Sequence, residues 1–441
     1  MFPPLPLEPA RTYSRAMQTP PAISGKTLGI LVCHDADGNE IVLKAFSGQL
    51  RGQWIAEGFV PPPLNTERYS AVVLRNDAQI HHLSGQIMSA ESEHRLLLAK
   101  NKALLAGQPK TATRTNPAVA AQRKVLSLKA ERRALSRQSL AAIYALFRIH
   151  CIDGSTKTFR DIFGDALPPT GTGECCAPKL LDHAFARGLR PVSLYEWQAC
   201  TGEYVAPCEQ KCRPLLIAML GLEIVYRDEH IIVVNKQSGV LSVPGRGADK
   251  QDCIAGRVRR LFPQCMEQPS VHRLDMDTSG LMVLAFDAES HRALSMQFME
   301  GTVQKEYVAL LRGAMSDIRP DLFRAGKGHI ELRFRLDIER RPHQVHDEAH
   351  GKLGITDWEL VRQETRNGAP ATRVLFRPRT GRTHQLRLHC AFPRGLNMPI
   401  IGDNLYGAQL PGERLLLHAS RLRFSHPVTG DTMDFSSEVP F

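Results

Sequence analysis

The sequence predicts an α+β protein in two regions, the second built on a mixed, largely antiparallel central sheet with flanking helices. Three observations carry that prediction. After Leu222 short apolar runs of β type recur at irregular spacing, interrupted only occasionally by helical stretches. Between Ile87 and Phe147 the chain has almost no Gly or Pro and places leucines at helical spacing. Seven of the ten cysteines precede Gly221, so the two halves differ in composition as well as pattern. The division expected is residues 1–220 and 221–441, in keeping with about 150 residues per domain.

In the first region, Leu28–Cys33 and Ile41–Phe46 are apolar runs around Asp35-Ala36-Asp37-Gly38, the signature of a β-hairpin. Pro61-Pro62-Pro63 then breaks the chain. Residues 88–147 are expected to form two helices joined by a polar loop from Gly107 to Pro117. This pair is strongly basic. From Glu91 to Arg137 there are eleven cations, among them Arg123, Arg132, Arg133 and Arg137, against Glu91, Glu93 and Glu131, a surplus of eight out of a net charge of +11 for the whole chain. With a sequence pI near 9.3, that concentration points to a polyanionic partner, nucleic acid first, although a solvated helix face would look the same.

A Gly- and Pro-rich stretch, Pro168 to Gly173, leads into a Cys-rich segment spanning 171–214. Cys175, Cys176, Cys208 and Cys212 form two pairs whose four thiolates could hold a structural zinc or an iron–sulfur cluster. Adjacent cysteines seldom both ligate one ion, and buried structural thiols are the competing explanation.

The second region opens with Glu223–Tyr226 and Ile231–Asn235 around Arg227-Asp228-Glu229-His230, again a hairpin. Further β runs are Leu281–Ala285, Tyr307–Leu311 and Thr372–Phe376, with a helix expected from Ala288 to Met299. No apolar run approaches the roughly 18 residues a membrane helix needs, and the Pro-rich start lacks a basic segment followed by an apolar core. The expected setting is therefore cytoplasmic, with no membrane partner and no disulfide scaffold.

Two stretches bear chemistry. In Val271-His272-Arg273-Leu274-Asp275-Met276-Asp277-Thr278-Ser279-Gly280 a polar loop with two carboxylates runs into an apolar strand. In Arg379–His389, Arg382, His384, Arg387 and His389 cluster after a glycine. A shielded carboxylate such as Asp275 stays ionised only beside a cation, and an Arg also orients it bidentately.

These residues resemble the RluA-type pseudouridine synthases in six ordered blocks over roughly Glu223 to Pro440. They are Tyr226–Lys236, His272–Asp275 with Thr278-Ser279-Gly280, Lys305–Ala309, Thr380–Arg387, Ile401–Gly407, and Leu417–Ala419 with His426-Pro427. The wording Arg273–Gly280 is closest to the subgroup acting on both ribosomal RNA and tRNA anticodon stem-loops. The resemblance implies the pseudouridine synthase fold and an isomerase that turns uridine in ribosomal RNA, tRNA or both into pseudouridine without a cofactor. It also implies Asp275 as the catalytic carboxylate, Arg382 as its ion-pair partner and Tyr307 as the aromatic packed on the target base. Arg273 would fill the gap left by the flipped uridine, and Lys305, His384 and Arg387 would contact RNA. Asp277, Thr278 and His384 are expected to shape the loops. The family's Lys-Pro-x-Gly is here Lys236-Gln237-Ser238-Gly239, with little chemical consequence expected, and the long N-terminal region has no counterpart in the catalytic blocks. Two other readings keep the same residues: a non-catalytic RNA-binding protein, and a glycoside hydrolase using Asp275 and Asp277.

Overall fold

The computed structural model describes residues 4–17, 23, 25–105, 117–247, 250–408 and 412–441. The chain divides into two compact units that part between Leu220 and Gly221.

The first unit contains α1 (Ala10–Ala16), β1 (Thr27–His34), β2 (Glu40–Phe46), α2 (Thr66–Leu105), α3 (Pro117–Tyr144), β3 (Ile149–His150), β4 (Thr156–Lys157), α4 (Phe159–Phe163), α5 (Cys176–Ala186), β5 (Arg190–Gln198) and α6 (Arg213–Leu220). β1 and β2 form the expected antiparallel hairpin, with Leu31 opposite Leu43. The Asp35 carboxylate accepts from the amides of Asp37 and Asn39, and Gly38 takes the positive φ of 85° that the turn needs. β5 adds to the other edge of β1, so β1 is central and its side chains are buried on both faces. That burial explains its continuous apolar run. One face packs Leu28, Ile30 and Val32 against Tyr195 and Trp197. On the other, Gly29 admits α5, because a Cβ there would fall 2.6 Å from the Cβ of Cys176.

α2 starts at Thr66, well before Met88, where the helical pair was expected to begin. Asn65 accepts from the Arg68 amide at 3.0 Å and so supplies a start signal that leucine spacing does not carry. Asn76 bonds Ser139, Glu91 pairs with Lys129 at 2.7 Å and Glu93 with Lys124 at 3.6 Å, which makes α2 and α3 antiparallel neighbours. The expected connecting loop falls mostly outside the described residues.

The second unit is a ten-stranded sheet. Its strands are β6 (Ile224–Arg227), β7 (Ile231–Lys236), β8 (Ser279–Ala285), β9 (Gln304–Arg312), β10 (Lys327–Leu336), β11 (Gln344–His346), β12 (Lys352–Arg366), β13 (Ala369–Pro378), β14 (Leu417–Ser425) and β15 (Thr432–Ser436). The order is β11-β10-β12-β13-β9-β14-β8-β7-β6, with β15 on β14. Pairing is antiparallel except between β14 and β8. The helices are α7 (Ile254–Leu261), α8 (Ala288–Glu300), α9 (Met315–Ile318), α10 (Pro320–Ala325) and α11 (Gln385–Ala391). α8 lies almost where its pattern placed it: Asp287 caps it by accepting from the Ser290 amide, and Gly301 ends it in a left-handed conformation.

Two apolar clusters flank the sheet centre. One joins Leu310, Phe376 and Trp358 to Leu386, Met398 and Ile400; the other joins Ile231, Val233, Leu281 and Val283 to Leu294. A single row crosses four strands: Gly280 faces Ala419, Ala419 faces Tyr307, and Tyr307 faces Phe376. Gly280 is obligatory in this row, since at φ 121° a Cβ would lie 2.3 Å from the Ala419 carbonyl oxygen.

Candidate active site

The row sets the residues before β8 near Tyr307 on β9. The 271–278 loop, the start of β9 and the 378–387 segment together line a cavity. Of the sequence-predicted residues, Arg273, Asp275, Thr278, Lys305, Tyr307, Arg382, His384 and Arg387 all line it. Asp277 does not; its carbonyl accepts from Ser238 Oγ at 2.7 Å. A carboxylate pair across a glycosidic bond is thus absent from the cavity lining.

The loop bearing Asp275 is held through its backbone. The Thr278 amide donates to the Asp275 carbonyl at 3.1 Å, closing a turn. Ser242 Oγ donates to the Leu274 carbonyl and accepts from the Leu274 amide. The Gly239 amide and Lys236 Nζ both donate to the Met276 carbonyl, at 2.9 and 2.8 Å. Lys236 is fully buried and also donates to the carbonyls of Gln237 and Val240. Burial pushes its pKa down to about 8, opposed by the charges of Asp275 and Asp277. Gln237, standing where the family pattern has proline, is exposed and contributes its carbonyl to Lys236.

Tyr307 is partly exposed on β9, and its phenol is held above the usual range by burial and then by the Asp275 charge. Lys305 has its pKa lowered by burial. Arg273 is exposed at the rim. Thr278 is buried, and its Oγ1 finds no hydrogen-bond partner among the described residues.

The two arginines of the 378–387 segment have different surroundings. Arg382, expected to pair with Asp275, is exposed and its Nε donates to the Leu353 carbonyl at 3.2 Å; it makes no ion pair with Asp275. Arg387 is buried. Its Nε and Nη2 bind the two oxygens of the fully buried Asp403 at 2.8 and 2.6 Å, and its guanidinium lies 5.5 Å from the Tyr406 ring centroid. Burial works against the Arg387 charge, but the bonds to Asp403 and the charges of Asp403 and Asp275 leave its pKa raised. Asp403 also accepts from the amides of Leu405 and Tyr406. Burial opposes its charge as well, yet the Arg387 bonds keep its pKa low. The physical reason for the difference between the two arginines is local geometry. His384 takes a left-handed φ of 55° at the start of α11, so the segment turns there and directs Arg387 inward. His384 Nδ1 meets the Tyr406 hydroxyl at 2.9 Å, and burial lowers its pKa.

Lys236, Ser242, Asp403 and Tyr406 acquired no role from sequence reasoning. A lysine closing an apolar strand was the available signal for the first, since so buried a charge needs carbonyl partners.

In the first unit, the Sγ atoms of Cys175, Cys208 and Cys212 lie within 4.8 Å of one another. Cys176 is not part of this group. Its thiol donates to the Thr27 carbonyl on β1 at 3.2 Å, because consecutive side chains at the start of α5 diverge. The four-thiol arrangement expected from spacing is replaced by three.

Comparison with known proteins bears on the family of the second region. The model of the RNA pseudouridylate synthase family matches residues 230–392. The chain is 40% identical over 223 residues to the dual-specificity RNA pseudouridine synthase RluA of Escherichia coli K12, covering 50% of this chain and 94% of that protein. The protein of that name from Yersinia pestis is 38% identical over 221 residues, covering 49% of this chain and 99% of the relative. Among solved structures, human RNA pseudouridylate synthase domain containing 1 is 30% identical, with 50% of this chain and 84% of that chain covered at a TM-score of 0.41. An RluA relative matched at 40% identity over nearly its whole length places the chain in the RluA-type family of RNA pseudouridine synthases.

Proposed function

We propose that this protein isomerises specific uridines of ribosomal RNA, tRNA stem-loops or both to pseudouridine, with Asp275 as the reacting carboxylate. The observation that carries the reading is that Asp275 and Tyr307 line one cavity with the buried guanidinium of Arg387. The reaction breaks the C1′–N1 bond, turns the uracil, and joins C5 to C1′. No group is imported and nothing is oxidised, so the chemical step needs no cofactor. Asp275 either attacks C1′ or removes the C2′ proton; a single anionic carboxylate serves both routes. Its target must leave the RNA stack, at a cost of a few kcal/mol. Tyr307 offers the detached base a flat apolar face, and Arg273 at the rim can occupy the vacated position. Arg387, held by Asp403, brings a fixed positive charge to the cavity that Asp275 lines. We assign this role to Arg387 in place of Arg382. Thr278 Oγ1 has a free donor for a substrate oxygen.

The basic α2–α3 pair is proposed as an RNA-gripping surface. Such a substrate sets the protein in the cytoplasm; no described helix is long and apolar enough to cross a membrane. Tritium release from C5-labelled ribosomal and transfer RNA tests the activity: wild type should release label and Asp275→Asn should not. Full release by the variant sinks the assignment of Asp275, and pseudouridine mapping in cells lacking the protein names the uridine.

A further inference from the structure

We infer that Cys175, Cys208 and Cys212 hold one zinc ion in the N-terminal unit, as three thiolates with a solvent-derived oxygen in the fourth position. The three Sγ atoms all lie within 4.8 Å of one another. A tetrahedral ion with metal–sulfur bonds of about 2.3 Å spaces its sulfurs roughly 3.8 Å apart, so modest side-chain rotations close the site. An iron–sulfur cluster interposes several iron and sulfide atoms and would hold thiolates of different irons farther apart. No His, Asp or Glu joins the group among the described residues, and an all-sulfur protein set selects zinc over harder cations.

The backbone prepares two of the three thiols. Cys175 is the N-cap of the eleven-residue α5, with extended φ and ψ of −70° and 165° and no side-chain capping bond. Cys212 immediately precedes α6, and its carbonyl accepts from the Leu216 amide at 2.9 Å. Both thiols thus stand at helix starts, beside backbone amides that have no acceptor within the helix. Cys212 is fully buried while Cys175 and Cys208 are partly exposed, so the ion has a protein-side anchor and a solvent side. The site would tie the start of α5 to the segment entering α6, a cross-link over some thirty residues. Binding releases the thiol protons to solvent and involves no redox change.

The test uses the full-length chain, expressed with added zinc and purified under reducing conditions. Elemental analysis should find one zinc per chain, and replacing it with cobalt(II) should produce sulfur-to-cobalt charge-transfer absorption with the intense visible bands of a tetrahedral thiolate site. Cys208→Ser, in a partly exposed irregular segment, should weaken zinc binding at least tenfold, whereas Cys200→Ser and Cys176→Ala should keep one zinc. The cobalt titration of wild type requires no variant to fold. Substoichiometric zinc with no cobalt–thiolate absorption overturns the site, as does unchanged zinc affinity in Cys208→Ser. Loss of zinc in Cys200→Ser, or a brown iron–sulfur spectrum in the purified protein, overturns it equally.

Discussion

The buried ammonium of Lys236 donates to the carbonyl of Met276 at 2.8 Å, one residue beyond Asp275. The same Nζ binds the carbonyls of Val240 at 2.6 Å and Gln237 at 3.0 Å, so one side chain joins the end of β7 to the Asp275 loop. Lys236→Met leaves three carbonyls without this donor. We expect a loss of about 3 kcal/mol in unfolding free energy, read by denaturant titration. In the fraction that folds, kcat should fall about a hundredfold with a smaller change in KM, because a carboxylate displaced by an ångström loses that much. Wild-type kcat in Lys236→Met would show that the clamp does not position Asp275.

Arg382 and Arg387 should separate cleanly. Arg387→Lys cannot reproduce the bidentate grip on Asp403, and kcat should fall by two or more orders of magnitude. Arg382→Ala loses one carbonyl contact on an exposed side chain, so kcat should stay within about threefold of wild type while KM rises with lost phosphate contact. The reverse order would return the ion-pair role to Arg382.

Thr278→Val keeps the shape and removes a hydroxyl that has no partner among the described residues. Thermal stability should therefore change by less than about 1 kcal/mol. If the hydroxyl serves substrate, kcat/KM should drop roughly tenfold; equal kcat/KM would make it a packing group only.

Two fully buried histidines make the catalytic unit sensitive to acid. Burial pushes the pKa of His389 and of His418 down to about 4. Their unfolded value is the ordinary 6.5, so between 6.5 and 4 the unfolded chain binds more protons than the folded one. Stability is fully present above pH 6.5 and declines as pH falls toward 4, by roughly 3 kcal/mol per histidine at most. Among the described residues neither ring nitrogen of His389 has a hydrogen-bond partner, and the ring stands edge-on to Phe334. His389→Leu should flatten part of this acid slope in urea titrations across pH 4 to 7; an unaltered slope refutes the assignment.

The charge of α3 should govern RNA affinity. Lys124 and Lys129 are engaged by Glu93 and Glu91, whereas Arg132, Arg133 and Arg137 are exposed and make no ion pair among the described residues. Reversing these three to Glu should weaken RNA binding and lower the slope of log affinity against log salt by about three. Filter binding over a salt series reads both, and an unchanged slope removes the RNA-gripping role.

Much of the architecture follows from local chemistry. The β1–β2 hairpin appears because Asp35 and Gly38 satisfy a tight turn between two apolar runs, and α8 appears because Asp287 and Gly301 cap a periodic segment. Each is decided within a few residues, so it is visible in order along the chain. β5, β10 and β12 escaped notice. β5 matters only as a partner for β1, and the polar residues alternating along β10 become strand-like only when β12 pairs beside them.

By itself the sequence determined which loop carries Asp275, which strand carries Tyr307, and which cysteines lie close along the chain. Tertiary structure decided which arginine is buried against Asp403 and which thiols meet. Arg382 and Arg387 are five residues apart, and the left-handed turn at His384 together with the buried Asp403 selects between them. Cys175 and Cys176 are neighbours, yet the close approach of α5 to Gly29 sends one toward Cys212 and the other to β1. Side-chain direction depends on backbone torsion and on distant packing partners, and neither is written in residue order.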